Sequence, residues 1–163
     1  ATETTTSVTA VTINSASFET GWDGWRDGGN RCSRQTNGNC TGFNGVQSEG
    51  YIRIHDDRGD ASSMFLDNQN LSSYNYITIE FQYKTNDRYD SNDYFTVEYR
   101  DANGVWTEVF RHTGQNSNCN TVALTLLASD YNFGTGDDFK FESYANDSNE
   151  QARIHDVVIK GYD

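Results

Sequence analysis

Residues 17–40 carry the side chains of this chain that are best suited to bind a ligand. Two indole rings, Trp22 and Trp25, lie among glycines. Three guanidinium groups follow them, on Arg26, Arg31 and Arg34. A tryptophan ring is a large amphipathic surface that is either buried or used for contact, and glycine allows backbone conformations that other residues avoid. Because the stretch has neither helical nor strand periodicity, we predict a structured loop that follows an opening strand and forms a recognition surface.

The chemistry of these side chains favours a sugar ligand. An aromatic ring can stack on the apolar C–H face of a sugar, and a guanidinium group can bind a sulfate or carboxylate through two hydrogen bonds. The predicted ligand-binding residues are Trp22, Trp25, Arg26, Asp27, Arg31, Arg34, Arg53, Tyr89 and Tyr94. The alternatives are structural: the indoles seal the end of the core, the arginines pair with nearby aspartates, and Tyr89 and Tyr94 belong to a plain strand connection.

Carboxylates in the segment HDDRGDAS could bind a metal ion. Asp56, Asp57 and Asp60 offer the oxygen ligands that Ca²⁺ prefers, although aspartates in such segments also cap turns. Catalytic groups follow no known pattern, because the three histidines are scattered and no GxSxG or HExxH motif is present. No pair of acids stands in a signature typical of glycoside hydrolysis. We therefore predict a non-catalytic protein.

Charge and hydropathy exclude two classes of partner. The chain has 24 Asp and Glu against 12 Lys and Arg, a formal net charge of -12, whereas binding to nucleic acid requires clustered positive charge. No apolar run approaches the roughly 18 residues of a membrane span. The opening ATETTTSVTAV lacks a starting Met and is typical of a mature chain after signal removal. We expect a secreted or cell-surface protein that binds neither nucleic acid nor a membrane.

The three cysteines favour extracellular disulfide chemistry. Cys32, Cys40 and Cys119 lie in polar, Asn-rich surroundings, which are typical of secreted disulfides rather than of buried free thiols. Pairing of Cys32 with Cys40 is favoured, because it would close the front loop and stabilise the fold by roughly 2–3 kcal/mol. Pairing of Cys119 with either of the others, which would tie this loop to the back of the domain, stays open.

Alternating apolar residues predict an all-β fold. Short strands are expected at residues 7–13, 16–19, 51–54, 63–67, 76–84, 94–100, 105–111, 121–127, 139–144 and 151–160. The Asn-Gly pair of the DANG turn predicts an antiparallel hairpin of 94–100 with 105–111. The last strand changes the parity of its apolar residues midway, so we expect a β-bulge near His155 and Asp156. Many short strands without a helical period indicate a two-sheet antiparallel β-sandwich, a jelly roll.

The domain organisation follows from length and composition. The 163 residues fit one domain, and no internal repeat or linker divides them. We expect the Thr-rich residues 1–6 to form a disordered tail and residues 7–163 to form a single β-sandwich module.

Several motifs of the chain resemble a known group of modules. They are FETGW and WRDGG near the start, YIRIHDD, YITIEFQYK, the pair Val105 and Trp106, and the closing IHDVVIKG. Over residues 16–161 they resemble MAM-like jelly-roll modules, and more closely the non-catalytic, carbohydrate-binding β-sandwich modules appended to secreted polysaccharidases and peptidases of marine bacteria. The resemblance implies a polysaccharide ligand and tethering to other domains. With the arginines, it favours a sulfated or uronate-containing polymer.

The same resemblance implies a structural Ca²⁺ ion. In such modules the opening Glu and the Asp of a closing IDDV-type strand lie close together at the ion, which corresponds here to Glu19 and Asp156. With Asp57 and Asp60, these are the predicted metal ligands. This chain has His155 where the pattern usually has another Asp. Two other functions stay open: an adhesion or assembly module of the MAM-like kind, and a small polysaccharide lyase or hydrolase.

Overall fold

The chain folds into β-strands with almost no helix. The structure, a computed structural model, describes residues 2–4, 8–55 and 59–163. Its strands are β1 (Ala10–Ala16), β2 (Arg26–Asp27), β3 (Cys32–Gln35), β4 (Cys40–Thr41), β5 (Gln47–Ser48), β6 (Tyr51–His55), β7 (Ser63–Asn70), β8 (Tyr76–Thr85), β9 (Tyr94–Arg100), β10 (Trp106–Thr113), β11 (Asn120–Leu127), β12 (Thr135–Tyr144) and β13 (Gln151–Tyr162). A 3-10 turn at Asp60–Ser62 and a short helix α1 at Ala128–Tyr131 are the helical segments in these ranges. Neither is long and apolar enough to cross a membrane.

Two antiparallel sheets contain most of the strands. Sheet A has the order β11-β8-β13-β6-β3, and β1 also pairs with β13. Sheet B has the order β10-β9-β12-β7-β2. Strands β4 and β5 form a separate hairpin. The predicted all-β, two-sheet antiparallel sandwich of the jelly-roll kind is confirmed.

The two sheets enclose an aromatic core. Successive residues of a strand point to opposite faces of the sheet. In β8 the apolar set that alternation predicts to face inward is buried, namely Ile77, Ile79, Phe81 and Tyr83. Phe81 meets Phe95 and Phe141 edge to face, with ring centroids 6.4 and 5.1 Å apart. These contacts join sheet A to sheet B.

The hairpin predicted from the DANG turn is confirmed. β9 and β10 pair antiparallel, with Arg100 opposite Trp106. At the turn, the Gly104 amide donates to the Asp101 carbonyl at 2.9 Å. Gly104 has a φ of 82°, which glycine adopts without steric cost. The turn therefore needs the glycine that the sequence supplies.

The front segment is more regular than its sequence indicates. Residues 17–40 contain two complete strands, β2 and β3, which extend sheet B beside β7 and sheet A beside β6. The range ends at Cys40, the first residue of β4. The opening strand β1 ends at Ala16, and Phe18 follows in a turn with a φ of 58°. The Asp23 carboxylate holds this turn, because it accepts the amides of Ser17 and Phe18 at 3.0 and 2.8 Å. Such short strands form because a sheet edge is available beside them, which periodicity does not reveal.

The predicted β-bulge in the last strand is confirmed. β13 places two residues, His155 and Asp156, where its partner β8 has only Gln82. On its other side, β13 pairs with β6 through Ile154 and with β1 from Val157 onward. The bulge therefore lies where sheet A changes its strand from β6 to β1.

The disulfide bond joins Cys40 to Cys119, so the favoured pairing of Cys32 with Cys40 is wrong. Cys32 is a free, buried thiol. Its position opposite Ile54 in the β3–β6 pairing turns its side chain into the core, away from Cys40. Burial raises the pKa of the Cys32 thiol. The alternative in which Cys119 ties the front of the chain to the back is confirmed.

The β4–β5 hairpin lies against the outer face of sheet A. The Gln82 side chain donates to the Thr41 carbonyl at 2.7 Å, and the Phe43 amide donates to Asp156 at 2.8 Å. The disulfide fixes the hairpin to the connection between β10 and β11. The hairpin therefore covers the bulge in β13.

Candidate ligand-binding and metal sites

The outer face of sheet B combines aromatic rings with charged groups. We define it by the outward side chains of β7, β9, β10 and β12, which are Phe65, Tyr94, Glu98, Arg100, Trp106, Asp138, Lys140, Glu142 and Tyr144. One cross-strand row runs from Phe65 through Lys140 to Glu98. In the next row Arg100 lies opposite Trp106. Because alternate residues of a strand point the same way, rings and charges share one surface.

The rings on this face are partly open to solvent. Trp106, on the edge strand β10, is half-buried, and the Lys140 ammonium and Arg100 guanidinium lie 4.5 and 5.0 Å from its ring centre. Tyr94 and Tyr144 are also half-buried and stack with centroids 4.6 Å apart. Rings with one apolar face and a polar edge can stack on a sugar ring.

The charged groups on this face are held by their neighbours. The Lys140 ammonium lies 3.6 Å from Glu98 Oε2 and 3.2 Å from Glu142 Oε2. Glu142 also accepts the Tyr144 hydroxyl and the Gly59 amide, both at 2.6 Å. Polar groups fixed in this way can orient a bound ligand through its hydroxyls.

The two glutamates differ in acidity. Burial raises the pKa of Glu98, and the nearby Lys140 charge does not compensate for it. Burial also acts on Glu142, but the hydrogen bond from Tyr144 and the Lys140 charge outweigh it and lower the pKa of Glu142. Glu142 therefore stays ionised to a lower pH than Glu98 does.

Two predicted ligand-binding residues, Arg26 and Tyr94, lie on this side of the molecule. Arg26, on β2, forms a bidentate pair with Asp67 at 2.6 and 3.1 Å. Its guanidinium also lies 4.3 Å from the Phe65 ring centre. The Arg111 guanidinium lies 4.0 Å from the Tyr94 ring centre. Both predicted residues thus join the outer face of sheet B rather than a separate loop.

Trp25 and Tyr89, which the sequence predicts to contact a ligand, are core residues instead. Trp25 is 4% exposed, its ring meets Phe141 edge to face at 5.5 Å, and its Nε1 donates to Asn14 Oδ1 at 2.9 Å. Tyr89 is 1% exposed, and its hydroxyl lies 3.0 Å from Ser143 Oγ. Neither ring presents a face to solvent, so neither can stack on a sugar in this structure.

The two other arginines of the front segment contact the backbone. Arg34 donates from Nη1 to the carbonyls of Phe18 and Glu19 at 2.9 and 3.2 Å. The Arg31 amide donates to the Ala61 carbonyl at 3.0 Å. The Arg34 bonds join two parts of the front segment, and the Arg31 amide joins that segment to the 3-10 turn. Contact of either side chain with a ligand stays a prediction.

Trp22, Asp27 and Arg53 lie apart from one another. Trp22 is partly buried against the core. Asp27 is exposed, and its carboxylate accepts the Gly29 amide at 2.9 Å. Arg53 lies on β6 in sheet A. Their roles in binding also stay predictions.

Glu19 and Asp156 line one cavity of about 300 Å³. Its other lining residues are Ser17, Gly42, Asn44, Val46, Gln47 and Ser48. The Ser48 hydroxyl lies 3.1 Å from Glu19 Oε1 and 3.3 Å from Asp156 Oδ1. Glu19 Oε1 also accepts the amides of Glu49 and Gly50 at 2.8 and 3.1 Å. The loop before β6 and the bulge of β13 thereby bring the two carboxylates to the same place.

The ligand atoms of this cavity fit a hard cation. One Ser48 proton cannot satisfy both carboxylates at once, and no Lys or Arg lines the cavity among the residues that the structure describes. Burial and the like charge of Glu19 raise the pKa of Asp156. The hydrogen bonds that its carboxylate accepts from Phe43 and Ser48 lower this pKa but do not outweigh the rise. A cation bound to oxygen ligands would relieve this repulsion.

His155 stands where the resemblance implies another Asp. Its ring is 1% exposed, and neither ring nitrogen has a hydrogen bond of normal geometry. Burial, followed by the positive charges of Lys84 and Arg153, lowers the pKa of His155 to about 4. The ring is therefore neutral near pH 7 and does not replace a carboxylate.

A second acidic cluster lies at another place in the fold. Asp90, Asp93 and Glu150 each offer a carboxylate oxygen within 4.8 Å of the others. Asp93 and Glu150 are buried. Burial and the neighbouring charge of Glu150 raise the pKa of Asp93, although the amide of Asp90 opposes this. These three carboxylates could hold a metal ion.

The structure describes only part of the segment HDDRGDAS, in which the sequence predicts metal ligands. Asp60 is exposed at the first residue of the 3-10 turn, and it joins no metal-type cluster in residues 59–163. Asp57 lies outside the described residues. Binding of a metal by either residue stays a prediction.

Sequence reasoning missed most of the outer face of sheet B. The same alternation that placed Phe95, Val97 and Tyr99 inward sends Glu98 and Arg100 outward. Outward parity is a signal that the sequence does contain. It does not tell which outward residues of different strands are neighbours, so the face was not recognisable as one surface.

The architecture places the chain among jelly-roll β-sandwiches. No family model matches it, and no curated protein is similar to it in sequence. Among solved structures, it is similar to the CBM22-1 xylan-binding domain from Paenibacillus barcinonensis Xyn10C, with a TM-score of 0.60, 18% identity and coverage of 96% of this chain and 97% of that one.

Two further solved structures extend the comparison. The CBM22-1–GH10 modules of Clostridium thermocellum Xyn10B, complexed with xylohexaose, have a TM-score of 0.62 and 14% identity over 92% of this chain and 28% of that one. The K2 cleaved adhesin domain of Lys-gingipain has a TM-score of 0.57 and 15% identity over 93% of this chain and 99% of that one. At such identities the likeness establishes the fold.

Proposed function

We propose that the protein is a non-catalytic polysaccharide-binding module of a secreted or cell-surface protein, formed by residues 7–163 and tethered to other domains. The observation that carries the proposal is the outer face of sheet B. There the half-buried rings of Trp106, Tyr94 and Tyr144 lie beside fixed carboxylates and an ammonium group. Sugars offer apolar C–H faces and hydroxyl edges, which such a surface complements. The likeness to carbohydrate-binding modules and the disulfide bond support it.

Trp106→Ala is expected to weaken binding at least about tenfold, or about 1.4 kcal/mol. The reason is the loss of the largest partly exposed ring on the outer face of sheet B. Isolated modules of this kind bind weakly, at roughly -4 to -6 kcal/mol, so affinity electrophoresis on xylan and on algal and plant polysaccharides is the suitable measurement.

Trp22→Ala is the comparison variant for that experiment. Trp22, a predicted ligand-binding residue of the front segment, packs partly against the core, so this variant tests whether that segment contributes to retention on the polymer. If Trp22→Ala abolishes retention and Trp106→Ala does not, the binding surface is the front segment. Absence of retention on every polymer contradicts the function itself.

We also propose that Ca²⁺ binds at the Glu19–Asp156 cavity. The Ser48 hydroxyl and the two carboxylates without a cationic partner in the lining support this site. The ion would join the loop after β1 to the bulge of β13 and so stabilise the fold; no chemistry is assigned to it.

Removal of calcium is expected to lower the melting temperature. At a Ca²⁺ concentration 100 times its Kd the ion stabilises by about 2.7 kcal/mol, which corresponds to a shift of roughly 5–10 °C for a domain of this size. A chelator should remove this shift and Ca²⁺ should restore it. Asp156→Asn should abolish the response, whereas Asp93→Asn tests the second cluster. If only Asp93→Asn abolishes it, the ion belongs to that cluster.

Adhesion to another protein is the second candidate function. The likeness to the Lys-gingipain adhesin domain favours it. Sedimentation that shows a concentration-dependent oligomer unaffected by added sugars would support adhesion instead of glycan binding. Release of reducing ends from the same polymers would reveal a hydrolase.

A further inference from the structure

Three cations form one row across sheet A. Lys84 on β8 lies opposite Arg153 on β13, and Arg153 lies opposite Arg53 on β6. Neighbouring strands are about 4.8 Å apart, so the row is short and dense in charge. Each cation alternates with buried inward residues such as Tyr83 and Ile154. The row therefore points to the outer face of sheet A, on the side of the sandwich opposite Trp106.

The hydrogen bonds that the described part of the chain offers this row come from neutral side chains. Lys84 Nζ donates to Asn39 Oδ1 at 3.0 Å, and Arg153 Nη2 donates to Gln151 Oε1 at 3.3 Å. The Nε atoms of Arg53 and Arg153 are buried without a hydrogen bond. In the ranges that the structure describes, none of the three cations lies within 4 Å of a carboxylate oxygen.

This arrangement contrasts with that of three other arginines of the chain. Arg26, Arg100 and Arg111 each pair with an Asp or Glu. The chain has 24 acids against 12 basic residues, so partners are plentiful. Like charges directly opposite on neighbouring strands are unfavourable. Among the described residues this row has no carboxylate ion-pair partner, so its charge is available to an anion from outside the chain.

A cavity adjoins this row. It has a volume of about 210 Å³ and is lined by Lys84, Thr85, Asn86, Asp87, Ser117 and Arg153. The lining combines two cations with the Ser117 hydroxyl, which suits the oxygens of an anionic group. The Thr85 hydroxyl and the Asn86 amide already donate to the carbonyls of Gly114 and Asn149. Asp87 is the lining carboxylate, and it is exposed, so solvent and salt screen its charge.

We propose that the row Lys84–Arg153–Arg53 is a second binding surface, which takes an oxyanion carried by an anionic polysaccharide. The oxyanion is a sulfate ester or a uronate carboxylate. This inference rests on the proposed glycan-binding function, because that function supplies the polymer that carries the oxyanion. Contact of one polymer with both faces of the sandwich would strengthen binding without a new contact on either face.

The test uses the triple variant Lys84→Gln/Arg53→Gln/Arg153→Gln of the full chain. Its affinity for polygalacturonate or carrageenan should fall at least tenfold, and the remaining binding should depend less on salt. The response to the carboxylated and the sulfated polymer identifies which oxyanion is preferred. Asp87→Asn should strengthen binding to the same polymers, because it removes a negative charge beside the cavity.

Lys160→Gln is the matched control, because Lys160 lies near the other end of β13 in the same sheet. It changes the charge by the same amount per residue and should leave the affinity within twofold of the wild type. Equal affinity of the triple variant and the wild type for both anionic polymers would overturn the inference. An equal loss of binding free energy per removed charge with Lys160→Gln would also overturn it, since the effect would then be one of net charge.

Two further measurements separate this inference from the proposed function. Retention on a neutral polymer depends on Trp106 and should be the same in the triple variant. Inorganic sulfate, compared with chloride at equal ionic strength, should raise the melting temperature of the wild type more than that of the triple variant. An equal rise contradicts the oxyanion site, whether or not any polymer binds.

Discussion

Replacing Trp25 with alanine is expected to lower the free energy of unfolding by about 3–5 kcal/mol. The ring is 4% exposed and packs edge to face on Phe141. Its Nε1 donates to Asn14 at 2.9 Å, and Asn14 in turn donates to the Asp23 carbonyl at 2.9 Å. The substitution thus leaves a cavity and a partly buried acceptor, Asn14 Oδ1, without its donor. Urea unfolding followed by circular dichroism measures the loss.

Trp25→Phe distinguishes a core role from a binding role. It keeps an aromatic ring in the core, so the protein should stay folded with a smaller loss of stability. Its polysaccharide affinity should equal that of the wild type, whereas Trp106→Ala should lose affinity with little change in stability. If Trp25→Phe is stable but no longer binds the polymer, Trp25 contacts the ligand and its assignment to the core is wrong.

Loss of the disulfide is expected to destabilise the protein by about 4.5 kcal/mol on the chain-entropy estimate. The bond joins residues 79 apart in sequence, so it restricts a large part of the unfolded chain. The double variant Cys40→Ala/Cys119→Ala should show this loss in urea unfolding. It should also reduce the response of the melting temperature to Ca²⁺, because the β4–β5 hairpin supplies Gly42, Gln47 and Ser48 to the Glu19–Asp156 cavity.

Cys32→Ala is the control for this experiment. Cys32 closes no loop, and its removal deletes only a small buried group, which costs about 1 kcal/mol. Alkylation of the unfolded, unreduced chain should modify Cys32 alone. Modification of Cys119 in that experiment would contradict the pairing seen in the structure.

The two proposed binding surfaces have different electrostatic characters. On the outer face of sheet B, cations and carboxylates are interleaved, as in the Lys140 contacts with Glu98 and Glu142. On the outer face of sheet A, the row from Lys84 to Arg53 has no such partner among the described residues. Sheet B therefore suits hydroxyl-rich sugar rings, and sheet A suits the anionic substituents of a polymer.

Local patterns predicted most of the strands. The alternation in residues 76–84 matches β8, and the DANG turn matches the β9–β10 hairpin. The change of parity near His155 predicted the bulge. These features depend on the order of residues within one segment, so they can be read before the partners of that segment are known.

Assignments that depend on contacts between distant segments of the chain were less successful. Cys32 lies closer in sequence to Cys40 than Cys119 does, yet the register of β3 turns Cys32 into the core. Trp25 has a ring of the type that stacks on sugars, yet it lies just before β2 and packs against Phe141. Residue type does not distinguish a buried indole from an exposed one, because an amphipathic ring can take either position.

The amino-acid sequence by itself determined the all-β class, the inward face of the long strands, the hairpin and the bulge, because each follows from local alternation and turn chemistry. Only the tertiary structure decided which outward side chains become neighbours. Strand order placed Lys84, Arg153 and Arg53 in one row, gathered Trp106 with Lys140, and brought Glu19 to Asp156. The physical reason is that strands distant in sequence meet through packing of the whole core, and surface chemistry depends on that meeting.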